Sequence, residues 1–252
     1  MQNRDSTTLF TNKAESYSKF RPSYPNSYLD YLTETCRLDA SSTVADVGAG
    51  TGILTGQLLS RGLAVIAVEP NGDMRKAAHA RLGDVPKLKL LSGTAEHTGI
   101  GADSVDAVTA AQAFHWFDPD AFLQECRRIL KPGGMISLVW NNRAPDSAVS
   151  RECHEICTKY SPSFRGFSGG ESQQNATTAF FPHGCDIQTF QNDLTYSREA
   201  FIGRYLSTSY APKPQDTAYL SYTRELGALF DRCNSGGLLS IPNVTISYTG
   251  HI

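Results

Sequence analysis

The sequence predicts a doubly wound α/β fold, a largely parallel sheet with helices on both faces. Three observations carry this. Between about residues 43 and 140, apolar runs of strand length alternate with stretches whose apolar residues recur at helical spacing. Several of those runs, such as "AVIAV", are apolar at successive positions, as strands buried on both faces are. The first run, "TVADV", leads straight into Gly48, Gly50 and Gly52 and then into an apolar helical stretch.

The elements follow in chain order. Residues 10 to 35, "FTNKAESYSKFRPSYPNSYLDYL" and onward, are aromatic and basic and predict a helix, a Pro-broken turn and a second helix. "TVADV", "AVIAV", "KLKLL", "VDAVTA" and "MISLVW" predict strands. "ILTGQLLSRG", "NGDMRKAAHARLG" and "DPDAFLQECRRILKPGG" predict the helices between them, each ending near glycine. "KPGG" before "MISLVW" is a turn. Residues 161 to 184 are rich in Ser, Gly, Asn and Phe and predict a long loop or mobile lid. Residues 197 to 233 predict helix in two pieces, broken around Pro212 and Pro214. The tail "NVTISYTGHI" alternates apolar and polar residues and predicts a final strand. No internal repeat is visible.

Composition narrows the function classes. The 252 residues carry a net charge of -2, with 23 Lys and Arg against 25 Asp and Glu. Nothing in that balance points to nucleic acid or an anionic membrane as partner. No apolar run reaches the length of a membrane span, and "MQNRDSTTLF" lacks the apolar core of a signal peptide, so a cytoplasmic protein is expected. The six cysteines include no CxxC pair and are expected as free thiols. Cys153 and Cys157 would share a helix face, which fits packing, and no metal site is expected. The Asn-x-Thr triplets at Asn175 and Asn243 are chance matches in a chain that is not secreted.

The glycines point to a ligand. In open α/β sheets the ligand lies beyond the carboxyl ends of the strands, and the first strand-to-helix turn floors that crevice. Glycines there allow positive φ and keep no Cβ between backbone and ligand. The pattern is GxGxG, with Ile53 where the dinucleotide fingerprint has its third glycine. Asp46 lies within the apolar strand, so its carboxylate must accept hydrogen bonds from neighbouring groups or from the ligand's amine. Glu69 ends the next strand, where a carboxylate accepts both hydroxyls of a ribose.

"VADVGAGTG", "VEPN", "SGTAEHTG", "VDAVTAAQAFHWF" and "LKPGGMISLVW", in that order across residues 44 to 140, together resemble the class I methyltransferases that use S-adenosylmethionine. "AESYSKFRPSYP" and "AQAFHWF" are similar to the small-molecule branch of methyltransferase type 11, related to trans-aconitate methyltransferases. The resemblance implies a Rossmann-like sheet of seven strands whose last strand is antiparallel. It implies one domain over 1–252: a cofactor-binding core at about 36–142, an N-terminal helical cap at 1–35, and a substrate-side and C-terminal segment at 143–252. It also implies binding of S-adenosylmethionine and release of S-adenosylhomocysteine. Gly48, Ala49, Gly50 and Gly52 would line its methionine portion and ribose, with Asp46 beneath and Glu69 on the ribose hydroxyls. Pro70, Asn71 and Met74 would lie along the adenine and its ribose, and Thr94, Ala95 and Glu96 would meet the adenine edge. Tyr17 and Arg21 would fold over the cofactor.

Methyl transfer from a sulfonium is an in-line displacement, so the protein mainly has to align and desolvate. "AAQAFHWF" follows the fourth strand. Gln112, Ala113 and Phe114 would face the methionine part, and His115, Trp116, Trp140 and Asn141 the acceptor, a small molecule. His115 is the one candidate general base; the other reading is that it only shapes the pocket. Arg143 either pairs with an acidic substrate or is a surface residue. Two alternatives stand beside the methyltransferase: an NAD-dependent oxidoreductase on a Rossmann sheet, against which Ile53 and "AQAFHWF" speak, and a non-catalytic nucleoside-binding protein. The acceptor and the oligomeric state are not legible.

Overall fold

The computed structural model describes residues 21–144, 147–167, 171–208 and 210–252. The first helix expected in the N-terminal segment lies outside these residues. The second is α1 (Asn26–Thr35), which begins at Pro25 and buries Tyr28, Leu29 and Leu32. Then come β1 (Thr43–Val47), α2 (Ile53–Ser60), β2 (Ala64–Val68), α3 (Gly72–Leu82), β3 (Leu88–Leu91) and β4 (Val105–Ala111). A 3-10 turn (Phe114–Trp116) and α4 (Pro119–Ile129) lead into β5 (Leu130–Arg143). The helix starts are chemically marked. Asn71 caps α3 by accepting from the backbone N–H groups of Asp73 and Met74, both at 3.0 Å. Asp118 caps α4 in the same way, with proline at the first helical position.

Seven strands form one sheet in the order β3-β2-β1-β4-β5-β9-β6, where β6 is Asp186–Gln191 and β9 is Asn243–Gly250. β1 to β5 are mutually parallel, and β9 runs antiparallel between β5 and β6. The antiparallel last strand is therefore as expected. Strand order reverses between β1 and β4, so the crevice must open at their carboxyl ends.

Both sheet faces are covered. Ala45 and Val47 of β1 pack with Phe122, Cys126 and Ile129 of α4 on one side. Val44 packs with α1 and α2 on the other. The period of two thus sends successive apolar residues into different cores.

A third core lies apart from the sheet. It unites Cys153, Ile156 and Cys157 of α5 (Ala148–Tyr160) with Phe201 and Tyr205 of α7 (Arg198–Leu206) and with Tyr222, Leu226 and Phe230 of α8 (Tyr219–Cys233). A small ladder of β7 (Leu194–Tyr196) and β8 (Leu239–Ile241) completes it. All six cysteines are free thiols. Among the described residues no helix is long and apolar enough to cross a membrane.

Two expectations need correction, and one strand was unforeseen. Residues 161 to 184 are not one long loop or lid. They contain α6 (Glu171–Ala179), and the following Phe180 and Phe181 are buried in the core under α4. The α6 sequence has no apolar stripe, so no helical period marked it. β6 was not foreseen because four of its first five residues are exposed on the sheet edge, and its composition is polar. "KPGG" lies within the strand rather than before it. β5 begins at Leu130, which pairs with Val105, and the next pair is Ala107 with Met135, so residues 131–134 form a bulge within β5.

Candidate active site

The glycine loop is held by β2. The N–H groups of Gly48 and Ala49 both donate to the Val68 carbonyl, at 2.9 and 3.1 Å, and Gly52 N–H donates to Ala49 O at 2.9 Å. Gly48, Gly50 and Gly52 have φ of 72°, 57° and 74°, a region that disfavours any side chain. A Cβ on Gly48 would lie 2.6 Å from Ala113 Cβ, whereas one on Gly50 would meet nothing within 4 Å and would enter the cleft.

Glu69 closes the loop from the far side. One carboxylate oxygen accepts Gly50 N–H and the other accepts Asn71 N–H, each at 2.9 Å. Each oxygen keeps a further lone pair, as a pair of ribose hydroxyls requires. Burial pushes the Glu69 pKa up, and the two backbone N–H groups pull it back. Asp46 is buried beneath the loop and accepts from the hydroxyls of Thr55 at 2.6 Å and Thr109 at 3.2 Å. Desolvation raises its pKa to about 6 against those two bonds. Thr51 is also buried, and its Oγ1 has no hydrogen-bond partner. An orphaned hydroxyl on the floor of a ligand cleft, beside a backbone that admits no Cβ, fits a nucleoside with polar groups.

The cleft above the loop holds about 200 Å³ and is lined by segments far apart in the chain. Asp46, Gly48, Ala49, Gly50 and Thr51 form one side. Ala111, Gln112, His115 and Trp116 come from the end of β4, Asn141, Asn142 and Arg143 from the end of β5, and Arg21, Pro22 and Tyr24 from the stretch before α1. Phe167, Arg204, Thr208 and Tyr210 reach it from the third core. Gln112 sits at φ 58°, unusual for a side-chain-bearing residue, and its Nε2 donates to Asn141 O at 3.0 Å. Asn141 has its side chain committed: Nδ2 donates to Ser23 O, and Oδ1 accepts from Thr245 Oγ1 and Asn192 Nδ2. It ties the N-terminal stretch to the sheet. His115 stacks at a tilt on Trp116, ring centroids 4.9 Å apart, and Trp116 is 38% exposed. Desolvation in the cleft, then the Arg21 guanidinium, push the His115 pKa down from the ordinary histidine value, although the residue as a whole is exposed.

The structure places some expected site residues elsewhere. Trp140 is 1% exposed and packs edge-on against Phe114 and Tyr248, so it cannot be on the substrate side together with Asn141. Neighbours on a strand point to opposite faces. Phe114 is likewise a core residue, wedged among Phe117, Phe122 and Phe180, and offers a ligand only its backbone. Met74 and Ala95 are buried in the wall, and Glu96 accepts Asp118 N–H. Glu69, Pro70, Asn71, Thr94 and Glu96 lie beside the cleft rather than among its lining residues. Tyr17 lies outside the described residues. Arg143 is no surface residue: its guanidinium lies 3.8 Å over the Phe167 ring inside the cleft. Arg204, Thr208 and Tyr210 were not legible in the sequence, because only tertiary packing brings α7 and its following loop to the sheet; Thr51 stands within the glycine loop itself, where the glycines alone drew the reading.

Comparison with known proteins meets this geometry from the outside. Residues 45–138 match the family model described as a methyltransferase domain, the span from β1 into β5 that builds the loop and Glu69. An uncharacterized methyltransferase of Mycobacterium tuberculosis is 35% identical over 248 residues, covering 96% of this chain and 95% of its own length. A solved structure from Anaeromyxobacter dehalogenans, with a provisional type II methyltransferase assignment, superposes with a TM-score of 0.67 at 25% identity over 92% of this chain and 98% of its own. An S-adenosylmethionine-dependent methyltransferase of Geobacter sulfurreducens, solved with S-adenosyl-L-homocysteine, shares the fold at TM-score 0.52 and 16% identity, over 95% and 96% of the two chains. Relationship over almost the whole length, the seven-stranded order with its antiparallel insertion, and a glycine loop clasped by an acid from β2 lead to one assignment: the chain belongs to the class I S-adenosylmethionine-dependent methyltransferases.

Proposed function

We propose that the chain transfers the methyl group of S-adenosylmethionine to a small molecule held between the glycine loop and the third core. One observation carries this reading: a cleft of about 200 Å³ at the switch point, with the glycine loop on one wall and Trp116, Phe167 and three arginines on the others. It suits a compact acceptor. The net charge of -2 supplies no basic field for nucleic acid. The bound cofactor supplies both the methyl group and its leaving group.

The chain's own residues position and desolvate. Glu69 takes the ribose hydroxyls, and the three glycines and Ala49 let the loop backbone approach, with Thr51 offering its free hydroxyl. Gln112 and Ala113 stand at the methionine end. Pro70, Asn71 and Met74, with Thr94, Ala95 and Glu96, form the adenine side. Arg21 borders the site from the stretch before α1. The full span 1–252 works as one domain in the cytoplasm, its third core forming the acceptor wall. The test is a screen of small acids, phenols and amines with methyl-labelled cofactor. Label in a small product is the expected result. Label confined to protein or nucleic acid, with cofactor binding intact, would contradict the acceptor class.

His115 shapes the pocket rather than acting as base. A lowered pKa leaves the imidazole neutral at neutral pH, so in a base role activity would fall only as pH drops through that lowered value. With the identified acceptor, His115→Asn is expected to raise KM and leave kcat and its pH profile nearly unchanged. A loss of about a hundredfold in kcat, with the acidic limb abolished, would instead establish general-base catalysis.

A further inference from the structure

Among the described residues, no carboxylate pairs with Arg143 or Arg204, two cations that line the acceptor half of the cleft. Arg204, on α7, is 7% exposed, and its Nη1 has no hydrogen-bond partner. Arg143, at the end of β5, has its Nε buried and equally without a partner. Both line the cleft. Their flat surroundings are aromatic. The Arg143 guanidinium lies 3.8 Å from the centroid of the Phe167 ring and 5.0 Å from that of Tyr205, and Arg204 lies 5.6 Å from that of Tyr196. Aromatic faces hold a guanidinium by its plane and leave its edge N–H groups for an acceptor. Among the described residues lining the cleft the one carboxylate is Asp46, which is bound to Thr55 and Thr109 on β1's side.

Two buried guanidinium groups close together repel, and a buried donor without an acceptor forfeits its hydration. Burial, and then the Arg143 charge, hold Arg204 down at about 10, with Arg21 adding to the same push. Both penalties vanish if an oxyanion seats between them. We propose that Arg143 and Arg204 form an anion subsite that holds a carboxylate or phosphate group of the methyl acceptor. This deepens the methyltransferase reading of the same cleft and rests on it. The planar forks match either oxyanion through paired N–H···O bonds. An amide carbonyl could accept one of these N–H groups but brings no charge to offset the two cations, so the subsite favours acids over their amides.

The test needs no knowledge of the acceptor. Thermal unfolding and calorimetry are run on the wild-type chain with S-adenosylhomocysteine present, adding succinate, inorganic phosphate, neutral succinamide, or sodium chloride at equal ionic strength. Succinate or phosphate is expected to raise Tm above the chloride control, and succinamide is not. The stronger of the two anions identifies the group as carboxylate or phosphate. Arg204→Met is expected to weaken that anion about tenfold or more, the scale of hydrogen bonds to a charged group. It is also expected to keep or raise Tm in anion-free buffer, because a buried repulsion is gone. A purely structural Arg204 would do the opposite: Met would lower Tm and leave the anion response in place. Arg143→Met gives the same comparison if the first variant does not fold. Equal shifts with succinamide, or no anion-specific shift while S-adenosylhomocysteine still binds, would overturn the subsite alone. Failure of the wild type to bind S-adenosylhomocysteine would overturn the underlying reading instead.

Discussion

Gly48→Ala is expected to destabilise the protein by about 2–5 kcal/mol, the sum of left-handed strain and overpacking. The residue sits at φ 72°, where a Cβ crowds the backbone. The added methyl would lie 2.6 Å from Ala113 Cβ and 3.1 Å from Phe117 Cζ. Ala113 is buried and has no rotamer through which to yield. The loop must therefore shift, and with it the Gly50 N–H that Glu69 accepts. Gly50→Ala provides the contrast. Its Cβ would meet no protein atom, so only the conformational strain of about 1–2 kcal/mol remains. That Cβ would enter the cleft, so affinity for S-adenosylhomocysteine should fall more than stability does. Urea unfolding and calorimetry on both variants separate the two effects. A Gly48→Ala protein as stable as the wild type would show that the loop does not pack as described.

Glu69→Ala is expected to weaken S-adenosylhomocysteine binding by about 1.5–3 kcal/mol, roughly ten- to a hundredfold. The carboxylate has two duties. It accepts the N–H groups of Gly50 and Asn71, and it presents its remaining lone pairs to the ribose. Removing it orphans both backbone donors, so some loss of stability accompanies the loss of affinity. Glu69→Gln should rescue little. The N–H groups of Gly50 and Asn71 meet different carboxylate oxygens, so in the amide one of them would still find an oxygen and the other would face the NH2 donor to donor. Affinity near the wild-type value in Glu69→Gln would indicate that charge and dual acceptance at this position do not matter.

The part of the site built within one βαβ span was legible from sequence. β1, the glycines and Glu69 are contiguous or one crossover apart, and local chemistry decides each: a strand that must be buried, a turn that must have positive φ, an acid that must end β2. What escaped was set by direction or by distance. Trp140 and Asn141 end the same strand, but the pleat sends one into the core and the other to the cleft. Phe114 lies within the motif at the end of β4, yet its ring fills a gap among Phe117, Phe122 and Phe180, which no spacing rule reports. Arg143 and Arg204 are separated by the whole of α5 and α6, and only the packing of the third core brings both to one cavity. Polar α6 and edge strand β6 carry too little apolar pattern to be found without the sheet they pack on or extend.

Calorimetric titration of the purified chain with S-adenosylhomocysteine and, separately, with NAD tests the central claim most directly. The GxGxG loop, Ile53 at the start of α2 and the doubly engaged Glu69 predict saturable binding of one S-adenosylhomocysteine per chain and weaker or undetectable binding of NAD. Tighter binding of NAD than of S-adenosylhomocysteine would contradict it.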